Sequence, residues 1–342
     1  MRPPAPSRER PAHPAYRRPG GWAASAAADS EALHRRPPRR RRGRHPDGSP
    51  GRNQQRRSPR MCPSLKPAPG RFLKRPGGLA GMLATLALAV SAVPARAADT
   101  DADAIEPDQP GIVESSSTVG QGRALLETGI GYQRDRSDGV RSRLWSTPTL
   151  LRFGFAEDWE FRVETDGYQR LRATGADGTT RASGWADTAL GVKWHLQDSD
   201  GERGKPGLAW LLHLDMDSGS ATFRGQGLRP SLRLTAEWDL PRDWSAGLIG
   251  GLYRDSRDDG RHFVGGILGA SLGWPIAERW KGYVEVAGDQ LASTRNGGRS
   301  ISAGTGVTWL VDRRVQLDAS VNRGLTKQTP DWVLGLGVSI GF

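Results

Sequence analysis

The sequence predicts an all-β chain: a transmembrane antiparallel up-and-down β-barrel of about twelve strands behind a disordered N-terminal leader. Three observations predict it. First, the last segment alternates Trp332, Leu334, Leu336, Val338, Ile340 and Phe342 with Val333, Gly335, Gly337, Ser339 and Gly341. Successive strand side chains point to opposite faces, so one face is continuously apolar and the other nearly bare. Second, an export signal lies upstream. Third, tryptophan recurs at the ends of the alternating segments. An apolar outer face, a small or polar inner face and a terminal aromatic residue are what the closing strand of an outer-membrane barrel requires.

The formal charge of +12 belongs to the leader. Residues 1–97 hold 21 of the 49 Lys and Arg but only 4 of the 37 Asp and Glu, leaving 28 basic against 33 acidic residues, a net of −5, for 98–342. That balance gives no support to nucleic-acid binding by the folded part. Arg71, Lys74 and Arg75 precede an apolar run from Leu79 to Val93, and Ala95-Arg96-Ala97 closes it as an A-x-A site. Residues 61–97 therefore read as a Sec-type signal peptide with cleavage expected before Ala98. The run falls short of the roughly 20 apolar residues a transmembrane helix needs. Residues 1–60, rich in Arg and Pro, are either a disordered basic leader or a mis-called start upstream of a true initiator at Met61. The single cysteine, Cys62, leaves with the leader, which excludes disulfides, thiolate metal ligands and a Cys nucleophile from the mature chain.

Residues 98–121 are acidic and lack strand periodicity, and are expected to form a periplasmic lead-in. From 122 to 342 the chain reads as the barrel. Strands are expected at 123–135, 141–155, 159–173, 182–197, 206–219, 229–240, 243–256, 262–275, 279–293, 299–311, 314–326 and 331–342. The alternation holds within them. Leu208, Trp210, Leu212, Leu214 and Met216 oppose His213, Asp215 and Asp217, and Leu232, Leu234, Ala236 and Trp238 oppose Arg233, Thr235, Glu237 and Asp239. A soluble antiparallel sandwich, periplasmic ones included, also alternates; the export signal, the terminal Phe342 and the placement of tryptophan favour lipid against the apolar face instead.

Short charged turns recur at one end: 156–159, 241–244 and 277–280 each finish in Trp, and 311–314 lacks it. With Phe155, Trp194, Trp210, Trp238, Trp274 and Trp309 they are expected to form a periplasmic aromatic girdle, with Trp145 and Trp332 at the opposite rim. The other connections are longer and rich in Gly, Arg, Asp and Ser, as extracellular loops should be. The stretch 197–207 is an exception, long although its parity makes it periplasmic. Pro148, inside the second strand, predicts a bulge or break there.

The segment Glu106-Pro107-Asp108-Gln109-Pro110-Gly111-Ile112-Val113-Glu114-Ser115, followed by Gly122 and Leu126-Glu127-Thr128-Gly129, resembles the opening motif of outer-membrane proteins of the "MetA-pathway of phenol degradation" family. The matching positions are Asp108, Pro110, Glu114, Ser115, Gly122, Glu127 and Gly129. The resemblance implies an exported, Gram-negative, porin-like barrel transporter of unassigned cargo, and it brings no functional residues with it.

By alternation, the lumen-facing candidates are Glu127, Arg152, Arg162, Glu164, Asp187, His213, Asp215, Asp217, Arg233, Glu237, Glu285, Asp289 and Asp318. Asp166, Arg170, Lys193 and Asp239 share their parity. Such groups would set the selectivity of a channel by field and hydrogen bonding, or pair across strands and plug it. His213, Asp215 and Asp217 form the one cluster with residue types for acid–base or metal chemistry. Their Cα atoms would stand about 6.5–7 Å apart on one strand, which favours a hydrated ion-pair ladder instead. No catalytic, cofactor or metal residue is assigned. The expected function is a channel for small solutes, hydrophobic or aromatic ones included. A structural or adhesive barrel with a plugged lumen is the alternative, and a barrel hydrolase the third reading. Expected partners are outer-membrane lipid and the barrel-assembly machinery, the latter through the C-terminal strand ending at Phe342, with no nucleic acid.

Overall fold

A computed structural model describes residues 104–257 and 259–342. The signal peptide, its cleavage site and the basic leader lie outside the described residues. Fifteen strands form one antiparallel sheet that closes on itself. They are β1 (Ala124–Ser137), β2 (Val140–Ser146), β3 (Thr149–Ala156), β4 (Trp159–Thr165), β5 (Tyr168–Gly175), β6 (Gly178–Trp185) and β7 (Thr188–Gln197). After them come β8 (Gly207–Asp215), β9 (Arg229–Leu240), β10 (Trp244–Ser256), β11 (His262–Ala277), β12 (Trp280–Leu291), β13 (Arg299–Asp312), β14 (Val315–Gly324) and β15 (Trp332–Gly341). Closure is made by β15, which pairs with β14 on one edge and with β1 on the other, from Leu125↔Gly341 to Arg134↔Trp332. Closing the sheet leaves no edge whose backbone polar groups would face lipid.

Fifteen strands make a twelve-stave barrel because three staves are each broken once. β2 and β3 pair with β1 in one continuous register, Gly131↔Ser146 and Thr128↔Thr149, interrupted only at Thr147-Pro148. A proline cannot donate to the ladder, and here the Pro148 carbonyl accepts from Gly129 N–H at 3.1 Å. β4/β5 and β6/β7 likewise share one register, Thr165↔Thr188 and Tyr168↔Trp185, across breaks at Asp166-Gly167 and Ala186-Asp187. The break in the second strand therefore extends sideways into two neighbours.

At this seam the pleat of two staves inverts. Below it β4 turns Glu160 and Arg162 inward; above it β5 turns Gln169, Leu171 and Ala173 inward and leaves Arg170 and Arg172 exposed. Arg170, expected in the lumen, therefore faces outward. Strict alternation fails across the break because the extra residues consumed there shift the side-chain period of 2 by one.

Inside and outside are reversed relative to a soluble protein. The largest fully buried side chains include Arg152, Arg162, Arg233 and Lys193, while Leu336 and Val264 are 64% exposed and Leu252 62%. Apolar side chains cover the outer wall on every stave. An apolar belt of this extent faces lipid, since soluble monomers rarely expose patches beyond a few hundred Å². Rings bound the belt: Trp159 stacks on Trp194 at 5.2 Å and Trp280 on Trp309 at 5.4 Å near the termini, while Tyr132 meets Trp145 at 4.7 Å near the other end. Trp185, in β6, meets Tyr168 at 5.6 Å and joins the second rim.

Candidate functional site: a charged lumen filled by the N-terminal segment

Residues expected as a periplasmic lead-in run inside the barrel. Asp108, Gln109, Glu114, Ser115 and Ser116 are buried against inward side chains of the wall. The segment has no strand period because it is not a wall element. Its backbone N–H groups instead find wall carboxylates. Gln109 donates to Glu127 at 2.9 Å, Ile112 to Glu285 at 2.8 Å, Ser116 to Glu237 at 2.5 Å and Val119 to Glu160 at 3.1 Å. Acids of four wall strands thus serve as acceptors for a chain that would otherwise bury unpaired donors.

The segment's own carboxylates complete the lumen's charge. Asp108 lies 2.6 Å from Arg162, 3.1 Å from Lys193 and 3.4 Å from Arg152. Glu114 bridges Arg162 and Arg233, each at 2.7 Å. From the wall, Glu160 binds Arg152 and Arg162 at 2.8 Å, and Glu127 lies 3.3 Å from Arg152. Four buried cations therefore meet two wall acids and two acids of the segment. Removing the segment would leave wall cations in a narrow lumen short of counter-charge, the costly situation for buried ions. Cations also hold backbone carbonyls of the segment: Lys193 donates to Ser115 O at 2.8 Å and Arg152 to Glu106 O at 2.9 Å. Thr235 donates to Glu114 O at 2.6 Å. Burial pushes the Asp108 carboxyl up, but Arg152, Lys193 and Arg162 outweigh it and hold the group below the usual carboxylate range. Ser115 N–H adds a hydrogen bond to Asp108 Oδ1 at 2.8 Å.

The inward candidates fall into three groups. Glu127, Arg152, Arg162, Arg233 and Glu237 contact the segment directly. Asp187 sits at the seam, where it accepts from Gly219 and Gly225 N–H at 2.8 and 2.6 Å and from Arg229 at 2.6 Å, fastening the loop after β8. Glu285, which also takes the Ile112 N–H, lines with Asp289 and Asp318 a cavity of about 50 Å³ between residues 110–112 of the segment and strands β12–β15 and β1. Its remaining polar lining is Ser302, Ser320 and Asn322, with no Lys or Arg.

The His213-Asp215-Asp217 row does not come together as a site. His213 is buried, its ring nitrogens without a hydrogen-bond partner among the described residues. Asp215 ends β8 opposite Arg229. Asp217 lies beyond the strand in the loop, exposed, accepting from Gly227 N–H at 3.3 Å. The strand expected to reach 219 stops at Asp215 because Met216 and Ser218 are drawn to the seam, through Thr188. Glu164 stays half-buried on β4, and Asp239 is exposed at the rim, taking a hydrogen bond from Ser199. Among the described residues no group of three or more His, Cys, Asp or Glu side chains could hold a metal ion.

Alternation alone missed the acids of the segment, because it describes only the wall. Their signal was the opening motif: Asp108, Glu114 and Ser115 are three of its positions. Glu160 was missed as well, since it stands one residue past a Trp-ended turn that reads as rim.

Comparison with solved structures finds other barrels. The COG4313 outer membrane channel from Pseudomonas putida F1 matches at 11% identity and TM-score 0.48, over 72% of this chain and 100% of that one. The β domain of the Bordetella autotransporter BrkA matches at 17% identity and TM-score 0.45, over 64% and 99%. The CymD monoaromatic hydrocarbon channel matches at 10% identity and TM-score 0.35, over 65% and 89%. No curated protein matches by sequence. A family model does match, over residues 107–342, from the lumenal segment to the closing strand. The chain belongs to the family described as "Putative MetA-pathway of phenol degradation".

Proposed function

We propose that the barrel is an outer-membrane channel for small solutes, with the passage running along the β12–β15 side of the lumen. One observation carries this reading. The N-terminal segment is fastened by ion pairs to the β3–β9 side, whereas toward β12–β15 it leaves the cavity lined by Glu285, Asp289 and Asp318. That lining is acidic without a basic residue, so small neutral solutes, aromatic ones included, and cations pass in preference to anions. The test is liposome swelling with neutral sugars, phenol-sized neutral solutes and arylcarboxylates of equal size. Faster swelling with the neutral solutes than with the carboxylates supports the reading, and no swelling with any solute sinks it.

The density of bonds around Asp108 and Glu114 favours a second reading, a plugged barrel whose loops are the working part. Impermeable vesicles containing correctly closed barrels would select it. Neither reading gives the chain an enzymatic role.

The same proposal covers the route to the membrane. Cleavage before Ala98 would leave ten residues ahead of Asp108, and N-terminal sequencing of the mature protein tests it. The alternating strand β15 and terminal Phe342 would be read by the barrel-assembly machinery; removing Phe342 should lower outer-membrane yield without altering the signal cleavage.

A further inference from the structure

Above the seam, the outer wall carries a row of arginines that the lumen does not explain. Cross-strand register sets Arg134 opposite Arg143, Arg143 opposite Arg172 and Arg172 opposite Arg181, a line across β1, β2, β5 and β6. Arg143, Arg172 and Arg181 are exposed and Arg134 half-exposed. Arg136 and Arg141 pair on the next rung, and Arg170 stands beside Trp145 on the rung below. The pleat inversion at Asp166-Gly167 puts Arg170 and Arg172 outside, since β4's parity carried through would have turned them into the lumen.

Two features set this row apart from ordinary hydrated charge. Like charges directly opposite on neighbouring strands destabilise the pair, and none of the four has an ion pair among the described residues. Some surface arginines elsewhere are paired, as Arg203 is with Asp200 at 3.0 Å and Arg323 with Asp331 at 3.6 Å. No acid shares the outward face of these four strands. The row's height is also defined. Trp145 and Trp185 sit one rung below it or at the strand base, and the ten residues from Trp145 to Phe155 cover about 25 Å along the barrel axis at a tilt of 35–45°. The row therefore lies immediately above one apolar boundary, at the end opposite Ala124 and Phe342, where headgroups stand.

We propose that this row is a docking surface for a phosphorylated glycolipid of the outer leaflet. Neighbouring strands lie about 4.8 Å apart, so one phosphate reaches two guanidinium forks, each suited to bidentate contact. Acyl chains of such a lipid would lie down the apolar wall beneath, past Trp145. Phosphate charge supplies the counter-ions that the wall lacks and turns an unfavourable row into a favourable one. The proposal concerns the outer surface and stands independently of what the lumen conducts.

The test is native mass spectrometry of the full-length barrel in detergent, titrated with bisphosphoryl lipid A, monophosphoryl lipid A and a neutral glycolipid of equal acyl number. Wild type should bind them in that order. Arg143→Gln/Arg172→Gln should weaken bisphosphoryl binding by roughly fivefold for each arginine removed, and Arg143→Lys/Arg172→Lys should recover part of it. A heat-modifiable band on a gel confirms that each variant is a closed barrel. Equal binding of the bisphosphoryl and neutral lipids by wild type would overturn the proposal, even if no variant folds. Unchanged lipid A binding by a closed Gln variant would overturn it as well.

Discussion

Asp108 and Arg162, 54 positions apart in the chain, meet at 2.6 Å in the middle of the lumen, one from the N-terminal segment and one from the fourth strand. Arg162 reaches Glu114 of the same segment at 2.7 Å with its other terminal nitrogen. One wall guanidinium thus grips the segment at two points, and Arg233 shares the second. Charge pairing, rather than apolar burial, holds the lumen's contents in place.

Glu114→Gln should loosen the segment, because it leaves Arg162 and Arg233 each one carboxylate short. Removing one partner of a deeply buried pair costs about 3–5 kcal/mol. Water reaching the lumen discounts this to about 1–3 kcal/mol. Planar-bilayer recordings should show larger or more frequent conductance steps than wild type. Unchanged traces from a correctly folded variant would mean that the segment is held elsewhere.

The contribution of Asp108 to docking should depend on pH with a definite sign. Its docked carboxyl lies below the ordinary value of 3.8. Such a group contributes fully above the free value, and the contribution is lost as pH falls toward the docked one. The conductance difference between wild type and Asp108→Asn should therefore be constant from about pH 8 to pH 5 and shrink below about pH 4. A difference that disappears already at pH 6 would contradict this assignment.

Leu336→Arg should destabilise the barrel by about 2–4 kcal/mol, since Leu336 is 64% exposed on the lipid face midway along β15, between Trp332 and Ile340. Urea titration of the protein refolded into vesicles measures it. A neutral outcome would mean that this face meets water or protein.

Thr147-Pro148 should tolerate substitution poorly at only one of its positions. The Thr147 hydroxyl accepts from Tyr168 N–H at 2.8 Å, bridging two broken staves. Thr147→Val should cost about 1–2 kcal/mol, read in the same urea titration, whereas Thr174→Val, at an exposed hydroxyl pair near a hairpin tip, should cost about 0.5 kcal/mol or less.

The wall was legible in the sequence because a barrel strand carries its own code. Leu232, Leu234, Ala236 and Trp238 against Arg233, Thr235 and Glu237 state both faces without reference to any partner. Pro148 announced its break for the same local reason. The lumenal segment was not legible from period, since Asp108 and Glu114 have meaning only beside Arg162 and Arg233, more than forty positions away. Nor was Arg170's outward turn. Its parity is set by a register slip at Asp166-Gly167, and no residue type there marks an inversion as Pro148 marks a break.

The most direct test of the central claim is the reversal potential of single barrels in a planar bilayer under a tenfold KCl gradient, for wild type and for Glu285→Gln/Asp318→Asn. An open path along β12–β15 predicts discrete steps with a cation-selective reversal potential that moves toward zero in the variant. Steps with anion preference, or a potential unmoved by the two substitutions, would contradict it and place the passage elsewhere.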